Sequence, residues 1–174
     1  FSINTMRSFL SDSEFNYIND LLKTSDLKKN LHVFEVSSKK KIIIVSIKKN
    51  LKNFDIENLG SEFYGRVNYG KNAEYFLVSD SINAKHKNFL GHFLHGLKLK
   101  SYEFKKYKTK KDSRLITLNI AGNKNKPSSL IQLKFKALEE GTFFARDLVS
   151  EPGNVLHPDE YAKRLNALKK DGLK

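Results

Sequence analysis

Leu31-His32-Val33-Phe34-Glu35-Val36-Ser37-Ser38-Lys39-Lys40-Lys41-Ile42-Ile43-Ile44-Val45-Ser46-Ile47 is the stretch that decides the fold class. Its first six residues alternate and are rich in β-formers, which is the pattern of a strand with one wet face. After the polar turn at 37–40, residues 42–47 form an almost continuous β-branched run, the pattern of a strand buried on both faces. The pair predicts an edge strand at 31–36 beside a buried central strand at 42–47.

On either side of this pair the period changes from strand to helix. Ser11-Asp12-Ser13-Glu14 is a capping box, and Phe15, Ile18, Leu21 and Leu22 follow at helical spacing before an end near Lys23. Downstream, Asp55 opens a second helix with Ile56, Leu59, Phe63 and Val67 on one face. Gly60 and Gly65 each weaken it by about 1 kcal/mol relative to Ala, and are expected to let it lie close to a sheet. A short strand at 74–78 leads into the turn Ser79-Asp80-Ser81. The third helix is predicted over 84–102, with Phe89, Leu90, Phe93, Leu94 and Leu97 as its apolar stripe. A polar connection at 105–112 precedes a strand at 115–120, closed by Ala121-Gly122. Beyond the loop at 123–127, Ser128-Ser129 begins the longest helix, which carries Ile131, Phe135, Leu138, Ala145 and Leu148. It stops at Glu151-Pro152-Gly153, because a proline disfavours helix in the residue before it. Strands alternating with helices imply an α/β layer fold with a mixed, mostly parallel central sheet flanked by helices.

The chain has 174 residues, room for one ordinary domain and a remainder. Hydrophobic residues make up 39%, including 13 Phe and 7 Tyr, enough for a packed core. No apolar run reaches the roughly 18 residues of a membrane-spanning helix. The first residues, Phe1-Ser2-Ile3-Asn4-Thr5-Met6-Arg7, lack the basic-then-apolar pattern of a secretory signal. With no cysteine, disulfides, thiol catalysis and cysteine-ligated zinc are excluded. Together these features lead to the expectation of a cytoplasmic protein. The net charge is +13, but only five of the 32 basic residues are Arg (Arg7, Arg66, Arg114, Arg146, Arg164) and the lysines are scattered, in clusters at 39–41, 48–49 and 105–111. A solvated basic surface is the first explanation of this charge, and a polyanion site the alternative.

Familiar chemical motifs are missing. His92 and His95 stand three apart, with His86 before them, yet Phe93 and Leu94 occupy the positions between them where a zinc protease carries a glutamate. Gly65, Gly70 and Gly122 do not make a phosphate-binding loop, and no serine sits in a nucleophile elbow. Asp147 and Glu151, one turn apart at the end of the longest helix, oppose its dipole and call for a positive partner, Arg146 or a group beyond this chain. A structural ion pair explains them better than an acid–base pair does.

Two segments resemble one known family. Ala145-Arg146-Asp147-Leu148-Val149-Ser150-Glu151-Pro152-Gly153-Asn154-Val155-Leu156-His157-Pro158 is similar to the place where the amino-terminal domain of leucine (cytosol) aminopeptidases meets the catalytic domain. The segment 96–109, with Ser101-Tyr102, Phe104 and Tyr107-Lys108-Thr109, looks like a second motif of that family, in the right order and at roughly the right distance. Ser150 departs from the usual Asn. The resemblance implies a macro-domain-like three-layer domain over 1–127, a connecting helix and hinge over 128–158, and the start of a metallopeptidase catalytic domain over 159–174. It also implies a cytosolic parent enzyme that removes amino-terminal residues from peptides with two divalent metals, zinc or manganese, as a homohexamer. The family's metal-ligand segment is not among these residues, so no catalytic, metal or cofactor residue is expected here. Arg146, Asp147, Glu151 and Asn154 are expected to be interdomain structure. The same resemblance implies a strand before the first helix, so the chain is expected to be clipped at its start. Tyr161, Leu165 and Leu168 on the helix after Pro158 form an apolar face that needs a partner, and Leu173-Lys174 is expected to begin a strand. The alternative function is a basic module for DNA or an ADP-ribose-like polyanion.

Overall fold

A computed structural model describes residues 3–26, 28–68, 73–83, 85–109 and 115–172. After a 3-10 turn at Asn4–Phe9, the elements are α1 (Asp12–Thr24), β1 (Leu31–Ser37), β2 (Lys40–Val45), α2 (Asn53–Val67), β3 (Ala73–Val78), α3 (Phe89–Lys100), β4 (Ile116–Ala121), α4 (Ser129–Ser150) and α5 (Pro158–Asn166). The alternation is that of an α/β fold. β1 and β2 form an antiparallel hairpin with Leu31 opposite Val45 and Phe34 opposite Ile42. β3 and β4 run parallel through the α3 crossover, with Ala73 opposite Ile116 and Val78 opposite Ala121. Parallel and antiparallel pairing are both present, as expected. Among the described residues, however, the strands pair as two separate two-stranded ladders and not as one continuous sheet.

Two apolar clusters sandwich the hairpin. On one side α1 buries Phe15, Ile18 and Leu22 against Ile3, Phe34 and Ile44. On the other, α2 and α3 bury Ile56, Leu59, Phe63, Phe89 and Phe93 with Leu31, while Ile43, Val45, Tyr75 and Leu77 pack against them. The α1 capping box forms as its sequence predicts: Ser11 Oγ accepts from the Glu14 N–H at 3.3 Å, and Glu14 accepts from the Ser11 N–H at 3.0 Å. α2 begins with a similar local bond, the Lys52 N–H donating to Asp55 at 2.8 Å.

Three expectations need correction. β1, read as the half-wet edge, buries Leu31, His32 and Phe34, whereas β2, read as fully buried, buries only Ile44. The β-branched run is left part-exposed because a groove opens along the outer side of β2. Gly60 does not serve a helix–sheet approach. A Cβ on Gly60 would stand 1.9 Å from the Phe93 carbonyl oxygen, and one on Gly96 would stand 1.9 Å from the Glu57 carbonyl oxygen. The two glycines let the backbones of α2 and α3 touch at their crossing. Gly65 meets nothing within 4 Å. Finally, α3 starts at Phe89, later than expected. Asn88 takes a left-handed conformation (φ 64°) and the Phe89 N–H donates to His86 O in a turn. Asn tolerates that conformation, and the charges of Lys85 and Lys87 would oppose the positive end of a longer helix. Ala84, Gly70, residues 110–112, Arg114 and Leu173-Lys174 lie outside the described residues.

Candidate functional site

α4 is a 22-residue helix whose Ser128 side chain caps its start, and Glu151 follows its last turn in extended conformation. α4 rests on α3 through Phe135, whose ring lies 4.7 Å from that of His95 and 4.9 Å from that of His92. Each histidine is held by its own carboxylate: His92 Nδ1 donates to Glu57 on α2 at 2.8 Å, and His95 Nδ1 donates to Glu139 on α4 at 3.0 Å. The spacing of three that suggested a shared ligand instead binds α3 to its two neighbours. Among the described residues no three His, Asp or Glu side chains converge as metal ligands would.

The polar centre of the molecule is at the other end of α4. The Glu151 side chain is 1% exposed and accepts from three donors. Lys106 Nζ donates at 2.5 Å, Arg164 Nη1 at 2.9 Å, and the Tyr107 hydroxyl completes the set. These bonds, Lys106 first, hold the Glu151 carboxyl at about 2, well below its ordinary range, against the opposing effect of burial. The same contact raises the Lys106 ammonium and the Tyr107 phenol. Arg164 also donates through Nε to Glu160 at 3.0 Å on its own helix, and its pKa is raised by Glu160 and then Glu151. One turn earlier, Asp147 accepts from the Tyr102 hydroxyl at 2.7 Å. Burial raises the Tyr102 phenol, and the bond to Asp147 adds to it. Arg146, named as the compensating cation, points elsewhere: it donates to Leu99 O at 2.6 Å and lies 5.4 Å over the Tyr102 ring. Asn154 is exposed in the turn between α4 and α5, where the Val155 and Leu156 N–H groups donate to Pro152 O. A cleft of about 400 Å³ lies beside the cluster, lined by Phe104, Lys105, Phe144 and Leu148 among others.

The two segments quoted as motifs are therefore joined in space, Tyr102 to Asp147 and Tyr107 to Glu151. Arg164 fastens the next helix to the same carboxylate. Lys106 and Arg164 were not singled out from sequence. Lys106 lies 45 residues from Glu151, and only its position inside the 96–109 motif hinted at a role. This arrangement ties α4, α5 and the segment that follows α3 together.

No family model matches the chain. Similarity to known proteins is nevertheless extensive. The chain is 29% identical over 142 residues to the "probable cytosol aminopeptidase" of Rhodopseudomonas palustris strain TIE-1, and the match covers 76% of the chain. It is 31% identical over 137 residues to the protein of the same name from Methylorubrum extorquens, again over 76% of the chain. The chain matches an amino-terminal domain of the cytosol aminopeptidases. It spans 28% of the first relative's length and 27% of the second's. A shorter stretch of 84 residues is 38% identical to the Methylorubrum populi protein. Among solved structures, the bottromycin maturation enzyme BotP, in complex with Mn, superposes with a TM-score of 0.64 at 16% identity, over 86% of this chain and 32% of that one. At that identity the likeness concerns the fold alone. No helix among the described residues is long and apolar enough to cross a membrane.

Proposed function

We propose that this chain is the non-catalytic amino-terminal part of a leucyl aminopeptidase. The parent enzyme would remove amino-terminal residues from peptides in the cytoplasm with two divalent metals, zinc or manganese. The observation that carries this proposal is the match to relatives named cytosol aminopeptidase over 76% of the chain but only 28% of their length. The metals are proposed to be held by the remainder of the parent. The packing of the hairpin between α1 and the α2–α3 pair supports reading this part as a packing domain of macro-domain-like layering.

In this role residues 1–127 form the domain, 128–158 the connecting helix and hinge, and 159–174 the start of the catalytic domain. Arg146, Asp147, Glu151 and Asn154 belong to the junction, and Glu151 is its anchor. The apolar residues that α4 and α5 leave in solvent support contact with a further domain. Leu130 is 76% exposed, Leu133 64% and Val149 87%, and α5 buries no residue at all. Exposed side chains of this size, repeated along one helix, mark a surface with a partner. The partner proposed is the chain's own catalytic domain, with the homohexamer assembling on the whole protein.

The test is the complete reading frame and the size of its product. The frame should run past Lys174 into a segment rich in metal-ligating carboxylates, and the purified product should sediment as a hexamer. A stop codon at residue 174 would defeat the proposal.

A further inference from the structure

The parallel strands β3 and β4 finish together, Val78 opposite Ala121. In open α/β folds this carboxyl end of the strands is where ligands are taken. Each strand here runs into a short polar segment: a 3-10 turn at Ser79–Ser81 follows β3, and a loop at 122–125 follows β4. The loop is shaped as a cradle. Gly122 and Asn125 both take left-handed backbone conformations, with φ of 105° and 60°. Between them the Asn123 and Lys124 N–H groups donate to a single oxygen, Asp80 Oδ1, at 2.8 and 2.7 Å. Successive N–H groups that converge in this way make an anion-binding nest.

The nest is built closely around that oxygen. A Cβ on Gly122 would stand 2.5 Å from Asp80 Oδ1 and 2.8 Å from Ser79 Oγ, so the approach requires a glycine. Asn125 pins the far end of the loop, its side-chain amide donating to Ser79 O at 3.0 Å and to Ile82 O at 3.2 Å. Ser79 is fully buried, and its hydroxyl reaches the same Oδ1 at 3.5 Å. A loop that needs only a cap can take it from its own Asn or Asp side chains. This one holds two asparagines, yet its acceptor comes from the end of another strand, 43 residues earlier. The Lys124 N–H first, then the Asn123 N–H and the Lys124 ammonium, hold the Asp80 carboxyl below the ordinary carboxylate range against the opposing effect of burial. The occupant is therefore an anion at neutral pH, and a phosphate oxygen would meet the same donors.

We propose that residues 122–125 form an oxyanion site that the protein fills with its own Asp80 carboxylate, which keeps phosphate-bearing ligands away from the carboxyl end of β3 and β4. The net charge of +13 would otherwise draw such ligands to an open nest. The proposal is independent of the assignment of function, because it requires only the loop and Asp80.

NMR titration of the 174-residue chain with pyrophosphate tests it, read at the backbone amides of Asn123 and Lys124. The parent chain should show no saturable shift there. Asp80→Gly, which vacates the nest, should show a saturable shift at both amides with a Kd of about 1 mM, roughly tenfold or more tighter than the parent. The same variant should melt at a higher temperature with pyrophosphate than without it, and the parent should not. Should Asp80→Gly fail to fold, Asp80→Ser, whose side chain stops short of the loop, takes its place with the same readouts. Saturable binding at these amides in the parent overturns the proposal. A folded variant that shows no shift there overturns it too, as do shifts no larger than those at Lys39–Lys41, which would be general attraction to the basic surface.

Discussion

Replacing Gly96 by Ala presses hardest on the account of the fold. The new Cβ would fall 1.9 Å from Glu57 O, 2.5 Å from Glu57 C and 2.6 Å from Glu57 Cα. All three atoms are backbone of α2, so no side-chain rotation relieves the clash. To restore ordinary contact the helices must separate by more than 1 Å, roughly, across the Ile56, Leu59, Phe63 and Phe93 cluster. Overpacking costs about 1–3 kcal/mol, and a backbone clash belongs at the upper end. Alanine returns about 1 kcal/mol of helix propensity. The net loss is about 2 kcal/mol, which for a chain of this size lowers Tm by about 4–8 °C. Gly60→Ala should behave alike, because its Cβ meets Phe93 O at 1.9 Å. Gly65→Ala supplies the opposite sign: nothing lies within 4 Å, so propensity alone should raise stability by up to about 1 kcal/mol. Thermal and urea unfolding of the three variants measure both signs. A Gly96→Ala protein as stable as the parent, or a Gly65→Ala protein that is weaker, would refute the crossing geometry.

Phe135→Ala should cost about 3–5 kcal/mol, because the ring fills the space between His92 and His95 where α4 meets α3; urea unfolding gives the value. The Glu151 carboxyl binds its proton more weakly in the folded chain than in the unfolded one. Its stabilisation is therefore complete above its ordinary value of 4.5 and drains away as pH falls toward about 2. Glu151→Gln should flatten the stability-versus-pH curve in that window, to an extent readable against the remaining depressed acids, Glu14, Asp80 and Glu160. Arg164→Ala should release α5 from the end of α4 and speed limited proteolysis between 152 and 166, while leaving the exchange of β1 and β2 amides unchanged.

Much of the fold was legible because its determinants are local. The Ser11–Glu14 box, the Ser128 cap and the Pro152-Gly153 stop each act within a few residues of the helix end they define. What failed was decided by partners distant in sequence. The burial ranking of β1 and β2 depends on the groove beyond β2, which no period in residues 42–47 reports. The role of Gly60 depends on Phe93 and that of Gly96 on Glu57, so neither helix reveals the contact alone. At the junction, the need of Asp147 and Glu151 for compensation followed from the helix dipole. The sources, Tyr102 for one and Lys106 with Arg164 for the other, come from segments on either side, while the adjacent Arg146 turns to Leu99.

The proposal is that this chain is part of an aminopeptidase whose chemistry resides in residues outside it. Release of leucine from leucine amide, with added manganese or zinc, tests it most directly when the 174-residue chain and the product of the complete reading frame are assayed side by side. The account predicts turnover by the complete product and none by the 174-residue chain. Appreciable turnover by the 174-residue chain, or an inert complete product, would contradict it.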